Sequence, residues 1–89
     1  MRYELNNRMS ILQGDKKLLL IDKKTSKEFL LDGSAFIIVN GLLKNKTKKE
    51  ITLNIYKAFG KSPPLKELKK DVDTFTKKLV EKNILYEKN

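Results

Sequence analysis

The sequence contains no cysteine and no histidine. Without cysteine there is no disulfide framework and no thiolate metal site, which suits a reducing cytoplasm. Without histidine as well, the usual general base, thiolate nucleophile and soft metal ligands are all missing. The one close pair of carboxylates, Asp71 and Asp73, is two residues apart, so on a helix the two side chains point in different directions. We therefore predict no enzyme activity, no catalytic residues, no cofactor and no metal site.

Long apolar segments are also missing. No apolar run approaches the ~20 residues of a membrane span, and residues 1–7 lack the apolar core of a signal peptide. We therefore expect a cytoplasmic protein without a membrane partner. The 89 residues predict a single domain, with its core at about residues 8–86, because a second domain would have almost no core of its own.

Lysine is abundant. The chain carries 20 Lys and Arg against 11 Asp and Glu, a net charge of +9. The excess is greatest in the middle of the chain, at Lys44, Lys46, Lys48 and Lys49. An excess of positive charge is compatible with a nucleic acid, an anionic membrane or an acidic polypeptide as partner. It is equally compatible with an ordinary soluble surface rich in lysine.

The first third of the chain predicts three short strands, at residues 9–12, 17–22 and 27–31. Each run is apolar, bounded by turn residues and too short for a helix. In the third strand Phe29 and Leu31 lie on one face, while Glu28 and Leu30 lie on the other.

From residue 32 the apolar period becomes helical. Asp32 or Ser34 can cap the first helix, and residues 35–43 are apolar nearly all round, which predicts a buried helix. Thr47 and Glu50 form a capping box at the start of the second helix, and Gly60 is placed for its left-handed C-terminal cap.

The third helix begins at the Pro63-Pro64 pair, because proline is tolerated where the amide has no partner. Its apolar stripe recurs every three or four residues and comprises Leu65, Leu68, Val72, Phe75 and Leu79. Asn83 is predicted to end it. The fold class is therefore α+β, a three-stranded antiparallel sheet followed by three helices in a winged-helix-like arrangement.

In order and spacing, these signals resemble the PqqD-like family, also called RiPP recognition elements after the ribosomally synthesised, post-translationally modified peptides that they serve. Family members typically start the first helix with Leu, Asn or Asp, one variable residue, Ser or Thr, and Ala, which residues 31–35 (LDGSA) match. A Thr-x-x-Glu-Ile opening matches residues 47–51, and Asp-Val-x-x-Phe-x-x-x-Leu matches residues 71–79, followed by the hydrophobic ending at residues 84–85. The sequence departs from the family pattern at residues 44–46 (KNK), at Val39 and at Asn83. The subfamily is therefore open.

The resemblance implies a function. Family members bind the leader segment of a precursor peptide and present it to a modifying enzyme, such as a radical SAM enzyme or a leader peptidase or cyclase, in RiPP, lasso-peptide or PQQ-type biosynthesis. The leader would add as a strand along the third strand of the sheet, at Glu28, Phe29, Leu30 and Leu31. The far wall of the cleft would come from residues beside the apolar stripe of the third helix: Lys69, Asp73, Thr76, Lys77 and Val80.

Each of these residues also has a plainer interpretation. Phe29 and Leu31 are expected in the core, so that only their backbone would touch a leader, whereas Leu30 is the better candidate for exposed apolar contact. Lys69 and Lys77 are typical of solvated lysines, and Val80 could complete the core. The lysine excess predicts an acidic leader.

Two other functions stay open on the residues alone. A winged-helix domain could bind DNA, but only residues 84–86 would be left for a wing after the third helix. That helix also carries carboxylates, which repel phosphates, at Glu67, Asp71, Asp73 and Glu81. Nucleic acid is therefore the less favoured partner. A general protein-interaction adaptor, such as an enzyme subunit or inhibitor, is the other alternative.

Overall fold

A computed structural model describes residues 2–88 of the chain. Its elements run in the order β1 (Arg2–Leu5), β2 (Met9–Gly14), β3 (Lys17–Asp22), β4 (Glu28–Leu31), α1 (Gly33–Leu43), α2 (Lys48–Ala58), α3 (Leu65–Glu81) and β5 (Leu85–Lys88). The predicted α+β class is confirmed, and the three predicted strands are β2, β3 and β4. In residues 2–88 no helix combines the length and the apolar character that crossing a membrane requires.

The main sheet is antiparallel, with β3 between β2 and β4. Across it Met9 lies opposite Asp22, and Leu18 lies opposite Leu31. Leu18 and Leu20 of β3 are buried against the helices, as expected for the inner face of a sheet whose side chains alternate. β2 and β4 are therefore the two edges of this sheet.

A second, two-stranded sheet joins the ends of the chain and was not predicted from the sequence. β1 and β5 pair antiparallel, with Leu5 opposite Leu85. Tyr3 and Leu85 are buried, and on the outside the Tyr86 hydroxyl donates to Glu4 Oε2 at 2.9 Å. This hydrogen bond is the main reason why the pKa of the Glu4 carboxyl is lowered and that of Tyr86 is raised.

The ends of the helices follow local sequence signals. The capping box is confirmed, because Thr47 Oγ1 accepts from the Glu50 amide and Glu50 Oε1 accepts from the Thr47 amide, both at 3.1 Å. The left-handed caps at Gly60 (φ 71°) and Asn83 (φ 59°) are also confirmed, and Asn45 (φ 61°) ends α1 in the same way. Asp32 occupies the predicted N-cap position of α1, but its side chain forms no capping hydrogen bond. Pro64 precedes α3 as its N-cap.

The core lies between the inner face of the main sheet and the three helices. It contains apolar side chains from every helix: Ile38, Val39 and Leu42 of α1, Ile51 and Ile55 of α2, and Leu68, Val72 and Leu79 of α3. Helices α1 and α2 approach so closely that a Cβ on Gly41 would lie 2.6 Å from Ile51 Cγ1. α3 packs against α2 and β5, which leaves one of its sides facing β4.

Candidate functional site

The outer edge of β4 carries unpaired backbone groups. The Asp22 amide donates to the Lys27 carbonyl at 2.8 Å, which fixes the phase of the β3–β4 ladder. Because opposed residues alternate between hydrogen-bonded and non-bonded pairs, Phe29 and Leu31 bond to β3. The N–H and C=O groups of Glu28 and Leu30 point away from it. Within residues 2–88 no strand pairs with this edge, so β4 can accept another strand.

An apolar groove runs beside that edge, between β4 and α3. A cavity of about 120 Å³ occupies it. Its apolar lining comprises Leu20, Phe29, Leu31, Phe75, Leu79 and Ile84, and two cations, Lys78 and Lys82, also line it. We call this the β4–α3 groove.

The groove continues past the end of β4. A second cavity, of about 260 Å³, lies between the start of α1 and α3 and shares Phe75 and Lys78 with the first. Ser34, Ala35 and Asp71 add polar and small side chains there. A peptide strand on β4 would therefore have apolar contacts along its length and a more polar exit at α1.

The opposite edge of the sheet, formed by β2, lacks a facing helix with apolar side chains. The Lys23 amide donates to the Arg8 carbonyl at 2.8 Å, so by the same alternation the backbone groups of Ile11 and Gln13 point outward from β2. However, β2 packs chiefly against β3. Of the two edges, β4 is the one that combines free backbone groups with apolar side chains on a facing helix.

The four predicted β4 residues divide between the two faces of the sheet. Phe29 and Leu31 are half-buried and line the β4–α3 groove. Glu28 and Leu30 lie on the outer face, where Leu30 is 63% exposed. Each face therefore has the side chains that the alternation in the sequence predicted.

The five residues predicted on α3 lie elsewhere. Lys69 faces α2, and Asp73 Oδ1 lies 3.1 Å from Lys48 Nζ. Thr76 is fully buried, with its hydroxyl donating to the Val72 carbonyl at 2.7 Å. Lys77 and Val80 line a cavity beside Tyr3.

The five predicted residues therefore do not line the β4–α3 groove, and their contact with a leader stays a prediction. At about 100° per residue, Lys69, Asp73, Thr76, Lys77 and Val80 lie on one flank of the buried stripe. The residues that do face β4 and α1 lie on the other flank: Asp71, Thr74, Phe75, Lys78 and Lys82. The helical period in the sequence defines both flanks but does not show which one faces the sheet.

Arg8 links the C-terminal end of α3 to the main sheet, a contact that the sequence did not reveal. Its Nε donates to Asp22 Oδ2 at 3.2 Å, and its Nη2 donates to the Lys82 carbonyl at 3.0 Å. Burial opposes the charge on Asp22, but backbone N–H groups of Lys24 and Thr25, together with Arg8, lower the pKa of this carboxyl. The C-terminal end of α3 is thus connected through Arg8 to Asp22 of β3.

An ion pair links the other flank of α3 to α2. Burial disfavours the ammonium of Lys48, but its hydrogen bond with Asp73, a contribution from Tyr3 and the charge of Asp73 raise the pKa of Lys48. Asp73 is therefore occupied by a neighbour on α2.

Comparison with known proteins defines the fold. The chain matches no model of a protein family and no curated protein. Among solved structures it has the fold of lasso peptide synthetase B1 complexed with the leader peptide, with a TM-score of 0.79 at 17% identity over 98% of this chain and 100% of that chain. It also superposes on TbiB1 in complex with the TbiA(beta) leader peptide, with a TM-score of 0.75 at 21% identity over 100% and 99% of the two chains.

Proposed function

We propose that this chain is a RiPP recognition element of the PqqD-like type, which binds the leader segment of a precursor peptide and presents it to a modifying enzyme. The leader adds as a fourth strand along β4, and its inward side chains enter the β4–α3 groove. The role is one of binding, without catalysis by this chain. The setting is the biosynthesis of a modified peptide such as a lasso peptide.

The observation that carries this proposal is the open edge of β4 beside an apolar groove. Two outward amides and two outward carbonyls, from Glu28 and Leu30, give an extended peptide its backbone partners. The groove side chains supply the selectivity that backbone pairing lacks. Likeness over the full length to two structures that contain leader peptides supports the same function.

The lysines of the groove favour a leader with an acidic residue. Lys78 and Lys82 are exposed and line the cavity beside Phe29 and Leu31. Neither lysine forms an ion pair with another side chain of residues 2–88. A carboxylate on the bound leader would complement them, so binding should weaken as salt is raised from low to physiological ionic strength.

The test is a fluorescence-polarisation titration with two labelled ligands. One is the leader of the precursor peptide encoded nearest to this gene, and the other is a mixed-sequence DNA duplex. We expect saturable leader binding at or below about 1 μM, equivalent to roughly −8 kcal/mol, and only weak, salt-sensitive DNA binding. Tight DNA binding without a response to the leader would replace this function with the winged-helix alternative.

Two adjacent lysines provide a matched test of the site. Lys78 lines the β4–α3 groove, whereas its neighbour Lys77 lies on the other flank of α3, and both are exposed. Lys78→Glu should weaken binding of an acidic leader by about three- to tenfold, because it replaces an attraction with a repulsion near the peptide. Lys77→Glu makes the same change in net charge and should have little effect. Equal losses would mean that general charge attraction, rather than the groove, holds the leader.

A further inference from the structure

A separate cavity lies between α2 and α3, away from the β4–α3 groove. Its volume is about 560 Å³, larger than either cavity of the groove. Three residues of each helix line it: Lys49, Thr52 and Leu53 of α2, and Leu65, Lys66 and Lys69 of α3. We call it the α2–α3 pocket.

The floor of the α2–α3 pocket is aliphatic. Leu65 is 40% exposed and Leu53 is half-buried. The Thr52 hydroxyl donates to the Lys48 carbonyl at 2.7 Å, so it brings no unsatisfied polar group to the cavity. Covering these side chains would remove apolar surface from water, which is favourable.

The rim of the pocket is entirely basic. Lys49 stands on the α2 wall, and Lys66 and Lys69 stand on the α3 wall. None of the three forms an ion pair within residues 2–88, where the nearby acids have other partners: Glu50 is held in the capping box by Thr47, and Asp73 pairs with Lys48. Three unpaired positive charges around an apolar floor define an occupant that is apolar in its centre and acidic on both sides.

We propose that the α2–α3 pocket is a docking site for an acidic amphipathic helix of a protein partner. Apolar side chains three or four positions apart on that helix would enter the pocket between α2 and α3, as in helix-in-groove recognition. Carboxylates on its two flanks would meet Lys49 on one wall and Lys66 and Lys69 on the other. A single-stranded nucleic acid fits less well, because the floor offers no aromatic ring on which a base could stack.

This site is independent of the proposed leader site. The pocket lies on the flank of α3 that faces α2, whereas the β4–α3 groove lies on the flank that faces the sheet. The inference rests on the pocket alone and does not require that a leader binds to β4. The partner that we propose for the pocket could be the enzyme that receives the presented peptide. Any protein with an acidic amphipathic helix meets the same requirement.

The test uses a synthetic probe peptide and the full chain labelled with ¹⁵N. The probe is a helix-forming peptide of about 15 residues, with leucine on one face and glutamate on both flanks; a control probe has lysine in place of each glutamate. In amide NMR spectra the acidic probe should shift the signals of Lys49, Leu53, Leu65 and Lys69 in a saturable manner. It should leave Glu28 to Leu31 unchanged, and the basic probe should bind at least about tenfold more weakly.

Charge reversal separates this pocket from general attraction. Replacing all three rim lysines with glutamate should weaken binding of the acidic probe by at least about tenfold. The control makes the same change in net charge at three exposed lysines near the strands, Lys17, Lys23 and Lys24, and should leave binding within about threefold. Lysine-to-glutamine versions of both variants, with folding checked by the spectrum itself, repeat the comparison if a reversed variant unfolds.

Three results would overturn the proposal. The first is the absence of saturable shifts with the acidic probe. The second is an equal loss in the rim and control variants, which would indicate non-specific attraction. The third is a DNA duplex that shifts the same signals with higher affinity, which would assign the pocket to nucleic acid. A failed leader titration would bear on β4 alone, so the two proposals can fail separately.

Discussion

A proline at position 30 tests the backbone part of the leader site. The Leu30 amide points away from β3, so Leu30→Pro removes a donor from the open edge without removing a β3–β4 hydrogen bond. Proline is tolerated at such positions on edge strands, and Leu30 is 63% exposed. We therefore expect a folded variant, with a thermal midpoint within about 5 °C of the wild type.

The expected loss of affinity follows from the small number of edge groups. Glu28 and Leu30 supply only two outward amides, and each hydrogen bond contributes about 0.5–1.5 kcal/mol net. The proline ring would also occupy space next to the incoming strand. The total should be about 1–3 kcal/mol, or roughly 5- to 150-fold in the Kd of the leader by fluorescence polarisation.

The matched control is proline on the other edge of the sheet. Gln13 is exposed on β2 and its amide also points outward, so Gln13→Pro makes the same chemical change away from α3. Its leader affinity should equal that of the wild type. If Leu30→Pro binds normally while folded, the leader does not pair with β4; if Gln13→Pro alone loses binding, the leader pairs with β2.

Four further predictions concern stability, measured by urea unfolding or thermal melts. Gly41→Ala should destabilise the wild type by about 1–3 kcal/mol, because its Cβ would lie 2.6 Å from Ile51 Cγ1. On an Ile51→Ala background the same substitution should be neutral or stabilising, since alanine favours helices. Equal effects on both backgrounds would refute this contact. Thr47→Ala should cost about 0.5–2 kcal/mol through loss of the cap. Hydrogen bonds from Thr47 lower the pKa of Glu50 in the folded protein. The stability that Glu50 adds is therefore complete above its unfolded pKa and is lost as pH falls through its folded pKa. The difference in unfolding free energy between wild type and Glu50→Gln should shrink in acid, and a difference that is constant with pH would contradict this account. Asn83→Ala should be destabilising and Asn83→Gly should not, because residue 83 has a φ of 59°.

Local signals in the sequence predicted most of the fold. The capping box at Thr47, the left-handed caps at Gly60 and Asn83 and the short apolar runs of β2 to β4 depend on neighbouring residues, so they can be found without the tertiary structure. The β1–β5 pair could not be found in this way. Its strands have only four residues each, contain two charged residues each, and pair across almost the whole length of the chain.

The lining of the β4–α3 groove was predicted only in part for a related reason. Strand alternation assigned Phe29 and Leu31 to the inner face, and the structure agrees. The flank of α3 that faces β4 is set by the path of the chain and by long-range contacts, such as that of Arg8 with the Lys82 carbonyl. Neither the helical period nor the charge pattern carries that information.

In the two proposals α3 lines both binding sites, one on each of its flanks. Its buried stripe, which includes Leu68, Val72 and Leu79, fills the space between the β4–α3 groove and the α2–α3 pocket, so the two ligands would not touch each other. A protein that presents a peptide must hold the peptide and the enzyme at the same time. Two separate surfaces on one rigid helix meet that requirement, whereas a single surface would force the two ligands to compete. The leader and the acidic probe should therefore bind together, and each should leave the affinity for the other unchanged.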